Sequence, residues 1–373
     1  MTSQVIGPRL KALREARDVD QEKVAAILGV SSRQIVSQIE TGERRVSADE
    51  LLRLAEGLGE NLDYFTDPYR IVGEGGFSWR QNGRSLVELG DYERTASSWI
   101  ALYRVEAPRV GRPAPLRRPK LPLTRQSSFE DAMAEGERVC QELRLLDISS
   151  YPAAGLADAM EREFGILVLM VDAIDGVSGA ACRLPDLDAV LVNRTEVAGR
   201  RHFDLAHELF HIMTWDEMPP EYSEDAHGFS GRRNRVEQLA DNFASALLMP
   251  AAVIDRFGSW KKLGEDELTS RLNEVAELLQ VTAQALKWRL AALRKLTQAV
   301  AKNVIDELLR NNGRERRDET VPPLFSRGFM EVLGLALFKG NVSRRRAARL
   351  LGLDLGELSN LFRVHGVQAP EGL

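Results

Sequence analysis

The segment His207-Glu208-Leu209-Phe210-His211 constrains the fold more than any other feature of this chain. On a helix, a spacing of four residues places both imidazoles on one face, one turn apart, where they can bind a single Zn²⁺. The surrounding run RRHFDLAHELFHIMTW keeps the rest of that helix apolar, as a buried site requires. This spacing predicts a divalent-metal site, with Glu208 beside the cation where it can take a proton from water. A core helix with two incidental histidines is the alternative.

A catalytic zinc site needs a third protein ligand and an open position for water. Thr214 and Glu217 exclude a third histidine at the spacing H-E-x-x-H-x-x-G-x-x-H. The remaining downstream candidates are Glu221, Glu224, Asp225, His227 and Glu237. Glu237 lies on the helical run RVEQLADNFASALLMP, one turn before Asp241. We therefore favour Glu237 as ligand, with Asp241 accepting the second ring N–H of a ligating histidine; two solvated acids on a surface helix are the alternative.

Composition narrows the class of protein. The chain has 373 residues, 44% hydrophobic and 28% charged, which excludes a mainly disordered chain, and its two cysteines give no disulfide framework. Because no apolar run approaches ~18 residues, we expect no membrane span and a cytoplasmic protein. The net charge of -5 hides an uneven distribution: residues 126–296 hold 18 Lys and Arg against 29 Asp and Glu, whereas residues 67–125 hold 11 against 6. This asymmetry suggests different partners for different segments.

The first 66 residues indicate five short helices punctuated by Gly29, Gly42 and Gly59. The run QEKVAAILGVSSRQIVSQIETGERRVSADELLRLAEGLG resembles the lambda-repressor-like, or XRE, helix-turn-helix family. That resemblance implies DNA binding, with a recognition helix over residues 32–40. It assigns base contacts to Ser32, Arg33, Gln34, Ser37 and Gln38, and phosphate contacts to Gln21, Arg44 and Arg45. The slightly acidic charge of this segment favours the alternative, protein docking only.

The paired stretches RRHFDLAHELFH and VEQLADNFASALLMP resemble the ImmA/IrrE family of zinc metallopeptidases. The resemblance implies His207, His211 and Glu237 as ligands of Zn²⁺, or of Mn²⁺ or another divalent ion, and Glu208 as general base in amide hydrolysis. One departure is Asp204, where the family more often has Thr. The group that stabilises the transition state is left open among His202, Tyr222, His227 and Arg200.

The expected fold is mainly α (α+β). It comprises a helix-turn-helix domain (1–66), a helix and basic Pro-rich linker (67–125), a zincin-like peptidase domain with a small three-stranded sheet (126–296), and a C-terminal helical domain (297–373). The three strands are expected over 165–171, 178–184 and 189–192. The stretch 312–319 (NGRERRDE) is expected to be a polar hinge, and the tail loosely resembles a second helix-turn-helix.

The sequence therefore predicts a zinc endopeptidase of the HExxH-plus-Glu type fused to a DNA-binding domain. The resemblance implies DNA and a protein substrate as partners, the substrate being a helix-turn-helix repressor cut in a stress or mobile-element response. A homodimer would suit palindromic DNA sites. Two alternatives stay open: a transcriptional regulator whose zincin domain senses a ligand or metal, and a regulator that cleaves itself in the linker 107–125.

Overall fold

A computed structural model describes residues 3–73, 75–83, 85–113, 115–146, 151–225, 234–310 and 321–370. The five N-terminal helices are α1 Ser3–Ala16, α2 Gln21–Leu28, α3 Arg33–Glu40, α4 Ala48–Gly57 and α5 Leu62–Thr66. The later helices are α6 Leu86–Arg109, α7 Phe129–Glu142, α8 Pro152–Ala159, α9 Ala198–Thr214, α10 Arg235–Leu248, α11 Ala251–Asp255, α12 Glu265–Leu279, α13 Ala283–Ala292, α14 Gln298–Asn303, α15 Arg327–Phe338, α16 Arg344–Leu351 and α17 Leu355–Val364. The strands are β1 Gly76–Gln81, β2 Leu167–Val171, β3 Val177–Arg183, β4 Asp188–Asn193 and β5 Ser223–Asp225. A π-helical turn, Met160–Phe164, follows α8, and a 3-10 turn spans Asp306–Leu308. No helix in these ranges is long and apolar enough to cross a membrane.

The N-terminal helices form the expected five-helix unit. Asp20 caps α2 by accepting a hydrogen bond from the Lys23 backbone N–H at 2.7 Å. Gly29 ends α2 with φ +71°, a left-handed conformation that costs glycine little, and so makes the turn into α3. The apolar faces meet in a separate core that includes Leu10, Val24, Leu28, Val36, Ile39 and Phe65. The mainly helical fold class is confirmed in this part of the chain.

The sheet has five strands, in the order β2-β4-β3-β1-β5, so the expectation of three strands is wrong. The three expected strands are present as β2, β3 and β4. The first additional strand, β1, comes from the segment expected to hold only a helix and a linker; it pairs antiparallel with β3 and parallel with β5. Its pairing is long-range, and a six-residue run between glycines carries little periodic signal of its own.

The two faces of the sheet are covered by different helices. One face packs against α9, α10 and the helices that follow, through residues such as Val168, Ala181 and Val190. The other face packs against α6 and α15–α17, through Leu169, Ala180 and Leu191. Side chains along β1 alternate in the same way, since Phe77 and Trp79 belong to the second core. Ser78 and Arg80 therefore face α9.

Part of the Pro-rich segment, which the sequence indicated only as a linker, is packed against the core around α9 and α10. Leu121 and Leu123 are buried in the same core as α9 and α10. Arg118 donates to both carboxylate oxygens of Asp188, each at 2.9 Å. Since proline already restricts φ, ordering such an extended segment costs less entropy than ordering a flexible one.

The C-terminal helices pack on α6 rather than standing apart. In the second core, Phe325 contacts Trp99 of α6, and Phe329 contacts Phe325 and Tyr103. Arg346, in the tail that loosely resembles a second helix-turn-helix, pairs with Asp67 at 2.7 Å. The expected hinge at residues 312–319 lies outside the described residues.

Candidate metal centre

Helices α9 and α10 bring the three expected ligands together. His207 Nε2 lies 3.0 Å from His211 Nε2 and 3.2 Å from Glu237 Oε2, and His211 Nε2 lies 3.5 Å from Glu237 Oε1. One ligand atom from each of the three residues falls within 4.8 Å of the others. Both histidines are buried, and the Glu237 side chain is 15% exposed. Two imidazoles and one carboxylate at this spacing match the donor set of a catalytic zinc site.

Asp241 lies where the sequence places it, behind the first histidine. Its Oδ1 is 3.1 Å from His207 Nδ1. An Nδ1–H that donates to this carboxylate leaves Nε2 unprotonated and directed at the other two ligands. The one-turn spacing of Glu237 and Asp241 on α10 therefore gives one ligand and one group that orients a ligand.

Glu208 has the environment of a proton acceptor. It is 1% exposed, and both of its carboxylate oxygens accept no hydrogen bond from any group in the described residues. Burial raises its pKa to about 7, which suits a group that takes and returns a proton near neutral pH. It lies over Gly179 of β3, where a Cβ would be 3.8 Å from Glu208 Cγ. A buried carboxylate without protein partners fits a site that holds a cation and its water.

The three ligand side chains differ in their electrostatics, and metal binding has to displace the proton that His207 holds. Burial lowers the pKa of His211 to about 3, so that imidazole is neutral, as a metal ligand must be. Burial and the charge of Arg80 would also lower the pKa of His207. The hydrogen bonds of His207 to Asp241 and Glu237 outweigh both effects and raise that pKa to about 10. Burial would raise the pKa of Glu237, but the hydrogen bond and charge of His207 outweigh it and lower that pKa. Glu237 thus presents a negative charge to the site.

Arg80 is a residue of this site that the sequence did not predict. It comes from β1, and its Nε lies 3.2 Å from Asp204 Oδ1, with the two side chains 11% and 5% exposed. Although burial alone would lower the pKa of Arg80, the carboxylates of Asp204, Asp241, Glu208 and Glu237 raise it above its usual value. The one available signal was Asp204 itself, since an acid in the place of a threonine on a buried helix calls for a cationic partner.

The other residues considered for the site have different surroundings. His202 Nδ1 lies 2.9 Å from the carbonyl oxygen of Gln280, and Arg200 lies 3.5 Å from Glu196. Tyr222 is 40% exposed, and burial of its ring with the charge of Glu93 raises its pKa to about 12. Glu221 is exposed, the backbones of Glu224 and Asp225 pair with β1, and His227 lies outside the described residues.

The expected DNA contacts divide into two groups. Arg33, Gln34, Ser37 and Gln38 are exposed along α3, and Arg45 is exposed in the loop that follows. Ser32 is half-buried at the N-cap of α3 and makes no side-chain capping bond. Gln21 donates to Glu40 at 2.9 Å, and Arg44 pairs with Glu50 at 2.7 Å. The exposed group offers the donors and acceptors that the expected base contacts need.

Comparisons with known proteins match two parts of the chain, the N-terminal helices and the region of the metal centre. The family description "Helix-turn-helix" matches residues 10–65, and "IrrE N-terminal-like domain", a peptidase family, matches residues 163–291. A Rhodospirillum rubrum protein described as an uncharacterized transcriptional regulator in the ATPase CF(0) region is 32% identical over 112 residues, which are 30% of this chain and 84% of that protein. Among solved structures, a PrgX/iCF10 complex aligns over 100% of this chain and 99% of that chain, with 14% identity and a TM-score of 0.17. A PrgX mutant aligns over 98% and 97%, with 11% identity and a TM-score of 0.16; scores this low carry no argument.

The two family matches fall on the two features described above. Residues 10–65 include the exposed face of α3, and residues 163–291 include the sheet strands β2–β4 and both helices of the metal centre. The chain thus carries a helix-turn-helix DNA-binding domain and a domain of a peptidase family that is generally metal-dependent. It belongs to the family of helix-turn-helix transcriptional regulators, with an IrrE N-terminal-like domain following the DNA-binding domain.

Proposed function

We propose that this regulator is a metal-dependent endopeptidase, and that Zn²⁺ is held by His207, His211 and Glu237. The observation that carries the proposal is the buried Glu208 carboxylate, whose oxygens have no partner in the described residues although the three ligand side chains converge beside it. A domain that only binds a metal or ligand has no need of this unpaired acid, which costs free energy to bury.

The residues of the site have different roles in amide hydrolysis. A divalent cation held there would polarise the substrate carbonyl and lower the pKa of the attacking water. Glu208 accepts the proton of that water as the new C–O bond forms, and then delivers it to the leaving amine as the C–N bond breaks. Asp241 fixes the ring of His207 through its Nδ1–H, so the ligand does not rotate during the reaction.

We propose a protein substrate and DNA as partners, with a helix-turn-helix repressor as the substrate class and derepression of its target genes in a stress or mobile-element response as the consequence. The DNA part rests on the exposed side chains of α3, where Arg33 can bind guanine and Gln34 or Gln38 adenine in the major groove. A homodimer would match palindromic half-sites.

The test compares the full chain with Glu208→Gln, which keeps the shape of the side chain and removes its basicity. We expect the variant to retain one equivalent of zinc and to lose cleavage by a factor of about 10² or more. Mass spectrometry follows both the chain itself and a small helix-turn-helix protein encoded by an adjacent gene, after zinc or manganese is added. Full activity in Glu208→Gln contradicts the proposal. Fragments of the chain itself indicate self-cleavage, and no fragments of either protein indicate a metal or ligand sensor.

A further inference from the structure

Arg80 is a largely buried cation near the metal centre, and two contacts fix its position. In the antiparallel pairing of β1 and β3 it lies directly opposite Gly179. Directly opposite residues in such a pair point to the same face of the sheet. Gly179 lies beneath Glu208, so the Arg80 side chain enters the same layer as the proposed proton acceptor.

The second constraint is Asp204, which stands one helical turn before Glu208 on α9. The i, i+4 spacing places Asp204 and Glu208 on the same face of the helix. Asp204 Oδ1 contacts Arg80 Nε at 3.2 Å, which holds the guanidinium plane by its Nε edge. The contact leaves Nη1 of Arg80 to serve another acceptor.

This terminal nitrogen has no acceptor among the described residues. Arg80 Nη1 is fully shielded from solvent, and it donates to no atom in the described part of the chain. A buried charged donor left unpaired costs free energy, so such groups in native sites are often reserved for a ligand. The carboxylates of Asp204, Asp241, Glu208 and Glu237 attract this cation and together hold its pKa above the usual value. The unpaired donor therefore stands among the groups that would act on a substrate.

We propose that Arg80 stabilises the negative charge that develops on the substrate carbonyl oxygen, and that Asp204 is the residue that positions it. This inference rests on the proposed peptidase function. As water adds to the carbonyl carbon, the C=O electron pair moves to oxygen and the water proton moves to Glu208; Arg80 Nη1 donates a hydrogen bond to the charged oxygen and keeps its own proton. Collapse of that state breaks the C–N bond, and Glu208 gives its proton to the amine. A fixed donor to such an oxygen changes rates by about 10²–10³.

The test uses the full chain loaded with Co²⁺, whose visible absorption reports ligands that enter the site, and two small probes. Methylphosphonate is a tetrahedral anion that needs a donor like Arg80. Acetohydroxamate is planar and binds mainly through the metal. In Arg80→Met we expect methylphosphonate affinity to fall at least tenfold and acetohydroxamate affinity to change by less than about threefold. Cleavage, where measured, should fall through kcat rather than KM.

Two further variants keep the result interpretable. Arg80→Met with Asp204→Asn removes both charges, so no buried acid is left unpaired, and it should show the same selective loss even if the single variant folds poorly. Arg183→Met is the matched control, because Arg183 lies on the same sheet, is 14% exposed and pairs with Asp188, but lies opposite Gly76 at the far end of β1. It should leave both probe affinities unchanged.

The outcomes separate the two proposals. Equal loss of both probes together with loss of metal affinity makes Arg80 a structural support and overturns the inference. No loss of either probe, or no methylphosphonate binding to the unmodified protein, also overturns it. Selective loss of methylphosphonate in a protein that cleaves nothing would leave Arg80 as an oxyanion-binding group and refute the peptidase function alone.

Discussion

Gly136 allows α7 to pack closely against α10, the helix that carries Glu237 of the metal centre. It lies on α7, and a Cβ there would clash with the backbone carbonyl oxygen of Phe243 and lie 3.0 Å from the Leu247 backbone nitrogen, both on α10. Because these are backbone atoms, no side-chain rotation relieves the contact, so Gly136→Ala must push α7 and α10 apart. Overpacking costs about 1–3 kcal/mol, and we take the upper part of that range. Alanine returns about 1 kcal/mol of helix propensity, which leaves a net loss of about 2 kcal/mol.

The matched control is Gly90→Ala, also inside a helix, where a Cβ meets nothing within 4 Å. It should gain about 1 kcal/mol. At roughly 2–4 °C per kcal/mol, thermal unfolding should occur about 4–8 °C lower in Gly136→Ala and about 2–4 °C higher in Gly90→Ala. Zinc titration should also show weaker binding in Gly136→Ala alone, since Glu237 is carried on α10. A Gly136→Ala protein that melts at or above the unmodified protein would refute the reasoning.

Two further substitutions test the burial of Glu161 and the contact of Asp241 with His207. Burial raises the pKa of Glu161 to about 7, above its unfolded value of 4.5. The protonated side chain therefore contributes its full stability below pH 4.5, and this contribution is lost as the pH rises through 7. Glu161→Gln should therefore match the unmodified protein near pH 4.5 and exceed it by about 1–3 kcal/mol at pH 8, measured by urea unfolding; the same difference at both pH values would contradict this. Asp241→Asn should lower zinc affinity by about 10–100-fold in competition with a chromophoric chelator, and an unchanged affinity would show that the contact with His207 does not orient the ligand.

The parts of the site that the sequence predicted are those encoded locally. The histidine pair and Glu208 follow from a four-residue spacing on one helix, and Glu237 with Asp241 follow from the same spacing on another. Helical periodicity places such residues on a common face without any knowledge of the tertiary fold. That α9 and α10 meet was expected because a catalytic zinc site needs a third protein ligand, and the family resemblance implied the same residue, Glu237.

The features that the sequence did not predict depend on long-range pairing. Strand β1 is defined by its partners β3 and β5 rather than by its own composition, so Arg80 could not be assigned to the site. Leu121 and Leu123 are spaced among prolines and cations that indicate a linker, yet both are buried. Local pattern cannot distinguish an extended segment that is solvated from one that lies along a core.

The uneven charge of the two central segments now has an internal explanation. Four cations of the basic segment 67–125 form ion pairs: Arg80 with Asp204, Arg104 with Asp186, Arg118 with Asp188, and Lys120 with Asp216 at 2.7 Å. All four acids belong to the acidic segment 126–296, so part of the opposite charge meets within one molecule. Asp188 is fully buried and pairs with both Arg118 and Arg183, so losing Arg118 would remove one of its two cations. We infer that the unit built around the metal centre includes β1 and the Pro-rich segment, because without them the acidic body would keep its carboxylates and lose the cations that neutralise them.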